Sequence, residues 1–463
     1  MCFKDWCFLA AMLLLGAGTV QAQPGDSVTV PASLRYSHPG LVNRVLLGSN
    51  YRKLWQTPVR LPVFRLDGFT IKELGGGNQT LSLQLADRSG RTWVLRTVDK
   101  NVERALPPLL RATFVLNMTQ QQISGAHPYA PVVVARLAQA TGVKAPDPTF
   151  YFVPDDPAFG EYRPLFANSV CLLEEREAGE RKTQNSEKIM ERLVDEGSAR
   201  PDQEAILRAR ILDIIVGDWD RHSGQWRWAE RPGTGDPELV FGIPRDRDQA
   251  FFFSDGFLPR FLQVVALRYL VSFNADLDQW HALTYKSWPF DRYFLNGLDR
   301  DQWSRNLESM QAALTDSVLT AAVRRLPPEI YALNGKRLLR QLKGRRDELV
   351  RKGMRYYRSI SGYVDVYGTD KDEEFLVSGS GDSLRVQVYQ RKGTKRGKLV
   401  YERSFLREDT RLVRLWGMRG KDRFVTGPGA TRFRIELATD DGDDEFALDP
   451  QKTVRQTKDK IPG

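Results

Sequence analysis

The sequence predicts an α+β chain of two lobes, the first rich in strands and the second helical, followed by a small all-β appendage. Three observations predict it. Leu81, Leu83 and Leu85 alternate with Ser82 and Gln84, Asp87-Arg88-Ser89-Gly90 turns the chain, and residues 93–98 return, which is the pattern of a β-hairpin. From Ser186 the period changes, and Leu207, Ile211, Ile214 and Ile215 fall on one face of a helix. Beyond Tyr356 the chain reverts to alternating strands separated by Gly/Asp turns.

Residues 1–22 precede the fold. Lys4 is followed by an apolar stretch and then by Val20-Gln21-Ala22, the order of an export signal with its small-residue cleavage site. The apolar run is shorter than the ~18 residues a spanning helix needs. An exported soluble protein is therefore expected, in the periplasm or associated with the cell envelope.

Residues 23–65 are rich in Pro and Arg and are expected to wrap onto the first lobe through Leu46, Leu47, Trp55 and Phe64. The hairpin follows, then a helix around 131–140 and strands at 149–153 and 170–173, completing a first lobe of residues 23–175. The second lobe, 176–355, opens with a capped helix at Ser186. Its next helix takes Pro201 in the first turn, and others fit 300–314 and 336–352. In the appendage, 356–463, Gly368 to Phe375 and Gly417 to Phe424 share one frame: Gly, six residues, Phe. Gly442-Asp443-Asp444-Glu445-Phe446 is a shortened copy. Two or three similar hairpins are expected there, with acidic turns that are either solvated loops or oxygen ligands for Ca²⁺.

The composition narrows the chemistry. Cys2 and Cys7 leave with the signal, so Cys171 has no disulfide partner. His38, His127, His222 and His281 stand in no CxxC or HExxH spacing, so zinc is not expected, nor is haem. The net charge of +10 suits either a solvated basic surface or attraction to anionic phosphates. Nucleic acid is not an expected partner, since no binding motif accompanies that charge.

The most informative stretch is 211–249. An apolar helix empties into Asp220-Arg221-His222, and a second acidic pair, Asp246 and Asp248, follows one hairpin later. Phosphoryl transfer needs carboxylates in that arrangement, one to orient a hydroxyl and another to hold the metal on the nucleotide phosphates. In the first lobe Gly75-Gly76-Gly77-Asn78 precedes the hairpin, and consecutive glycines let backbone N–H groups approach phosphate oxygens. Asp213 and Asp218 flank the acidic turn and are assigned structural hydrogen bonds. His127 is expected either as a pocket residue or as a structural residue at a helix start.

Lobe order and motifs together resemble the bilobal kinase fold. The closest resemblance is to its atypical branches: HipA-like, phosphatidylinositol, CotH-like spore-coat and secretory-pathway kinases, which carry Asp-Arg-His-x-x-Asn. The resemblance implies a catalytic role for Asp220, Arg221 and His222. It implies metal ligation by Asp246, Asp248 and Gln225, the last standing where the family has Asn. It also implies nucleotide contacts from Gly75, Gly76, Gly77, Asn78, Arg96, Lys100 and Glu174. Arg96 stands where Lys is usual, and the following helix lacks the usual Glu. ATP with Mg²⁺ or Mn²⁺ is the implied cofactor, with an unknown protein, lipid or glycan acceptor.

A second resemblance covers the chain from Tyr36 onward, through Tyr51-Arg52-Lys53-Leu54-Trp55 and the motifs above. It is to an uncharacterised module of Gram-negative envelope proteins, found between a calcineurin-like phosphoesterase and a BamA-type barrel. It implies an outer-membrane partner. A pseudokinase that only binds is the alternative to catalysis.

Overall fold

In the computed structural model, the described residues are 26–76, 80–103, 106, 108–111, 114–180, 182–235, 237–427, 429, 433–439, 444–448 and 454–457. The leader 1–22, Gly77 and Asn78 lie outside them.

The first lobe is a five-stranded antiparallel sheet. Its strands are β1 (Phe69–Gly75), β2 (Ser82–Asp87) and β3 (Thr92–Thr97), then, after helix α1 (Ala130–Ala140), β4 (Thr149–Val153) and β5 (Ser169–Glu175). They lie in the order β1-β2-β3-β5-β4. Alternation sorts the two faces. Leu83, Leu85, Leu95 and Leu173 turn into a core with Phe64, Phe159 and Phe166, while Arg96 and Glu174 turn the other way. The N-terminal wrap packs on both lobes: Val63 bridges to Phe152 of this sheet, while the helix Leu41–Leu47 meets residues 256–265 of the second lobe. It contributes a strand pair, Ser27–Val30 with Val59–Pro62, and two short helices, with Leu47, Trp55 and Phe64 buried.

The helical lobe begins with α2 (Ser186–Val194), where Asn185 accepts the Lys188 N–H as the N-cap. A short strand β6 (Ala199–Pro201) follows, so Pro201 ends a strand instead of starting a helix. Asp202 is the N-cap of α3 (Gln203–Val216), accepting from Ala205 N. Helix α3 is buried all round, Arg210 and Asp213 included. It stops at Gly217, whose φ of 71° is left-handed and whose missing Cβ leaves room for the Phe273 ring. Strands β7 (Trp226–Glu230) and β8 (Glu238–Pro244) form the next antiparallel pair. Helices α4 (Arg300–Ala313) and α5 (Lys336–Ser361) pack on α3 and complete the lobe.

The appendage differs from a row of hairpins. Its strands are β9 (Tyr363–Tyr367), β10 (Glu373–Ser380), β11 (Ser383–Lys392), β12 (Lys395–Leu406), β13 (Leu412–Trp416), β14 (Arg423–Thr426), β15 (Arg434–Ala438), β16 (Glu445–Ala447) and β17 (Val454–Thr457). Strands β10, β11 and β12 form two consecutive antiparallel hairpins, but the other strands pair differently. Strands β9, β13, β15 and β17 run parallel in one sheet, and β10, β14 and β16 run parallel in the other. These are stacked rungs of a short solenoid. The repeated frame sets their register, with Phe375 paired to Phe424 and Phe424 to Phe446. The three rings stack at 4.8 and 5.6 Å.

Candidate functional site

The two lobes enclose a cleft of about 500 Å³ lined by Gly75, Gly76, Arg96, Lys100, Asp220, His222, Gln225, Asp246 and Asp248. A smaller, mostly apolar cavity of about 60 Å³ adjoins it behind Arg96, lined by Val98, His127, Phe150, Leu172 and Glu174 among others. Gly76 has a φ of 112°, and a Cβ there would fall 2.1 Å from Thr80 O, so only glycine makes this turn above the cleft.

The turn after α3 delivers Asp220. Its backbone N–H donates to Asp218, and its carboxylate accepts from Lys286 Nζ at 2.6 Å. Lys286 itself lies 4.8 Å from the Trp219 ring centre and 4.4 Å from that of Tyr269. Arg221 points away from the cleft, into the protein. It donates to Asp213 at 2.9 and 3.2 Å, to Asp218 at 3.3 Å, to Gln225 Oε1 at 3.2 Å and to the Arg245 carbonyl. Arg221 thus ties the end of α3, the Asp220 turn and the start of the Asp246 segment into one unit. His222 is exposed and caps the turn at Ser223–Gln225, its Nδ1 accepting from Gly224 N at 3.2 Å.

Asp213 is the anchor beneath. Fully buried, it accepts from Arg210 at 2.6 Å, Arg221 at 2.9 Å and Arg247 at 2.8 Å. Burial opposes its ionisation, but the three guanidiniums outweigh burial and hold its carboxyl well below the usual range. Asp218 is pushed the other way, by burial first and by the charges of Asp213 and Asp248.

Asp246 and Asp248 reach the cleft from a segment of unusual backbone. Asp246 has a φ of 57° and Phe251 one of 61°, both left-handed. The segment is tied down by Phe251 N to Val216 O at 2.8 Å and by the Tyr51 hydroxyl to Phe251 O at 2.8 Å. Asp246 ion-pairs with Arg96 at 2.5 Å, and Asp248 with Lys100. Burial would raise both carboxyls. Arg96 and Lys100 pull Asp246 below its ordinary value, while burial and Asp246 together leave Asp248 above its own.

The acidic partner of Arg96 that the family carries on the following helix is found here on a strand. Helix α1 has no acid, and Glu174, on the strand beside Arg96, pairs with it at 3.4 Å and with Arg245 at 3.9 Å. His127 stands at the start of α1, its Nδ1 accepting from Tyr129 N at 3.2 Å. Burial pushes its pKa down to about 3, so it is neutral.

Sequence reasoning missed Lys286, because no local pattern links it to a turn 66 residues earlier. It also missed Glu174 as the partner of Arg96. That pairing was open to inspection once β3 and β5 were taken as neighbours.

Among the described residues no group of three or more His, Cys, Asp or Glu is placed to hold a metal ion. Asp246 and Asp248 are two carboxylates, which is the number Mg²⁺ takes from a protein when phosphate oxygens and water complete its shell. They fit an ion carried in with a nucleotide. The Gln225 amide oxygen, engaged by Arg221, is not turned to them.

No family model matches the chain, and no curated protein matches it. Among solved structures it is similar to the Helicobacter pylori proinflammatory kinase CtkA, at 10% identity, covering 62% of this chain and 95% of that one, with a TM-score of 0.33. It is similar to HipA in a HipA–HipB–operator complex from Shewanella oneidensis MR-1, at 12% identity over 73% and 76%, TM-score 0.32. It is also similar to the Rio2 kinase of Chaetomium thermophilum, in its ADP/Mg²⁺-phosphoaspartate complex, at 12% identity over 63% and 73%, TM-score 0.27. These likenesses transfer no activity. The chain's own geometry makes the fold kinase-like: an antiparallel sheet over a helical lobe, a glycine turn above the cleft, a cation on the third strand, and carboxylates rising from below.

Proposed function

We propose that the protein is an exported, kinase-like phosphotransferase that binds a nucleoside triphosphate with Mg²⁺ or Mn²⁺ and passes the γ-phosphoryl group to an acceptor of the cell envelope. One observation carries this reading. Asp220, Asp246 and Asp248 share a single cleft, and their ion pairs are with Arg96, Lys100 and Lys286, side chains that a phosphate chain can recruit. Had they been paired with Arg221, Arg245 and Arg247, the cleft would have been a closed structural network. Arg221 and Arg247 instead pair with Asp213, beneath the cleft.

The chemistry follows from what each group can do. Arg96 and Lys100 donate to phosphate oxygens. Asp246 and Asp248, released from those cations, would hold the divalent ion, and the chemistry it would supply is neutralisation of charge on the transferring group. Asp220 accepts the proton of the acceptor hydroxyl as its oxygen bonds to the γ-phosphorus, while the bond to the bridging oxygen breaks and the nucleoside diphosphate leaves. Lys286 holds Asp220 in place until an acceptor arrives.

A second reading is a nucleotide-binding module of the envelope, without catalysis, docked to an outer-membrane partner. The Gln225 amide oxygen held by Arg221 favours it, because one expected metal ligand is already engaged.

The test is calorimetric titration with ATP, with and without Mg²⁺ or Mn²⁺. Metal-dependent binding that Asp246→Ala abolishes and Asp220→Ala keeps is the expected result, with phosphoryl transfer lost in both variants. Binding without any transfer selects the module. No binding under any metal condition rejects both.

A further inference from the structure

Two adjacent helices, none of whose residues line the cleft, leave apolar faces bare. The helix Leu41–Leu47 exposes Leu41, Val42 and Val45, and the helix Phe257–Val265 exposes Phe257, Phe261 and Val264. Leu41 is 80% exposed, Val264 76%, Phe257 66% and Val45 64%. Isolated apolar residues at a surface need no explanation, but seven large ones on two touching helices, Val265 included, do.

The pair is built, not frayed. A Cβ on Gly48 would lie 2.1 Å from Asp255 Oδ1, and one on Gly256 would lie 2.3 Å from the Leu47 carbonyl carbon, so the helices meet through two glycines. Asp255 Oδ1 also accepts from Asn50 N at 3.0 Å. The Phe257 and Phe261 rings stack at 6.4 Å along the bare face.

Charge decides the occupant. Residues 27–66 contain no aspartate or glutamate, and neither do residues 256–275. Arg44, Arg260 and Arg268 are exposed on these segments beside the apolar side chains. A second copy docked here would set the same arginines against one another. An anionic lipid surface would take the apolar faces into its acyl boundary and the arginines among its phosphates. We propose that these two helices are a docking surface for an anionic membrane, which would hold the cleft of the protein near the bilayer.

The experiment is flotation of the full-length chain with vesicles of phosphatidylglycerol and phosphatidylethanolamine, and in parallel with vesicles of phosphatidylcholine alone. The variants are Phe261→Asp/Val264→Asp and Arg260→Gln/Arg268→Gln. All four positions are exposed, and an unchanged thermal unfolding curve shows that the variants fold. Binding to the anionic vesicles is expected to fall at least about tenfold in the aspartate pair, from the apolar area withheld. It should weaken in the glutamine pair and with added salt. Unchanged binding in the aspartate pair overturns the proposal and points to the apolar leader of residues 1–22 as the anchor. Equal binding to phosphatidylcholine overturns it, as does no binding to either. Self-association that the aspartate pair abolishes would assign the surface to a second copy instead. None of these outcomes depends on nucleotide binding in the cleft.

Discussion

Asp213 shows how much of the site rests on a residue that touches no ligand. Three guanidiniums, from Arg210, Arg221 and Arg247, converge on one carboxylate that is wholly buried. Replacing it with Asn keeps the shape and removes the anion, leaving buried cations short of a partner. Asp213→Asn is expected to cost about 3–5 kcal/mol of stability, measured by urea unfolding. Its depressed pKa gives the sign with pH: the contribution is present above the ordinary Asp value of 3.8 and is lost as pH falls below it. Lys286→Ala is the contrast. Its pair with Asp220 is about one-third exposed on both sides, so stability should change by only about 0–1 kcal/mol. Equal losses in the two variants would remove the distinction between anchor and cleft.

At the scale of elements, the solenoid rungs bury carboxylates between layers. Asp422 accepts from Glu373 N at 2.8 Å, and its own N–H donates to Asp444 at 2.9 Å. Burial first, and Glu373 next, push Asp422 up to about 9 from an ordinary 3.8. The folded state therefore keeps a proton that the unfolded chain gives up. Stability from this group is full below pH 3.8 and declines as pH rises towards about 9. Asp422→Asn, which keeps the acceptor without the charge, should flatten that decline and raise the melting temperature on the alkaline side. A melting profile that keeps its slope in the variant would show that another group is responsible. Burial bears on one of the two expectations for the acidic turns. Asp422 and Glu373, two of those acids, are buried inside the rungs and not solvated.

For the whole molecule, the cleft between the lobes is polar, lined by four cations and three carboxylates. Arg176, Arg245 and Gln84 also line it, and Val94 is the one aliphatic side chain among its lining residues. Phosphates, more than a base, should then carry the affinity of a nucleotide. ATP and ADP are expected to bind, adenosine to show no heat in the same calorimeter, and the affinity for ATP to fall with added salt. Adenosine matching ADP would contradict that assignment of affinity to phosphates.

The lobe order, the helix ahead of the Asp220 turn and the acids on which the reading rests are all legible in the sequence, because periodicity and spacing are local properties of a chain. The repeated Gly-to-Phe frame even carried the register of the rungs. What it did not carry was their pairing. A strand, a Gly/Asp turn and another strand describe a hairpin and a rung equally well, and only contacts between distant segments separate them. The same holds for the ions. Asp246 with Arg96, Asp248 with Lys100 and Asp220 with Lys286 are partnerships across lobes or between remote turns, and no spacing rule links their members. The sequence by itself determined which side chains could do chemistry. Tertiary structure decided which of them meet and which are spent on holding the frame, because burial and charge pairing depend on distance in space, not along the chain.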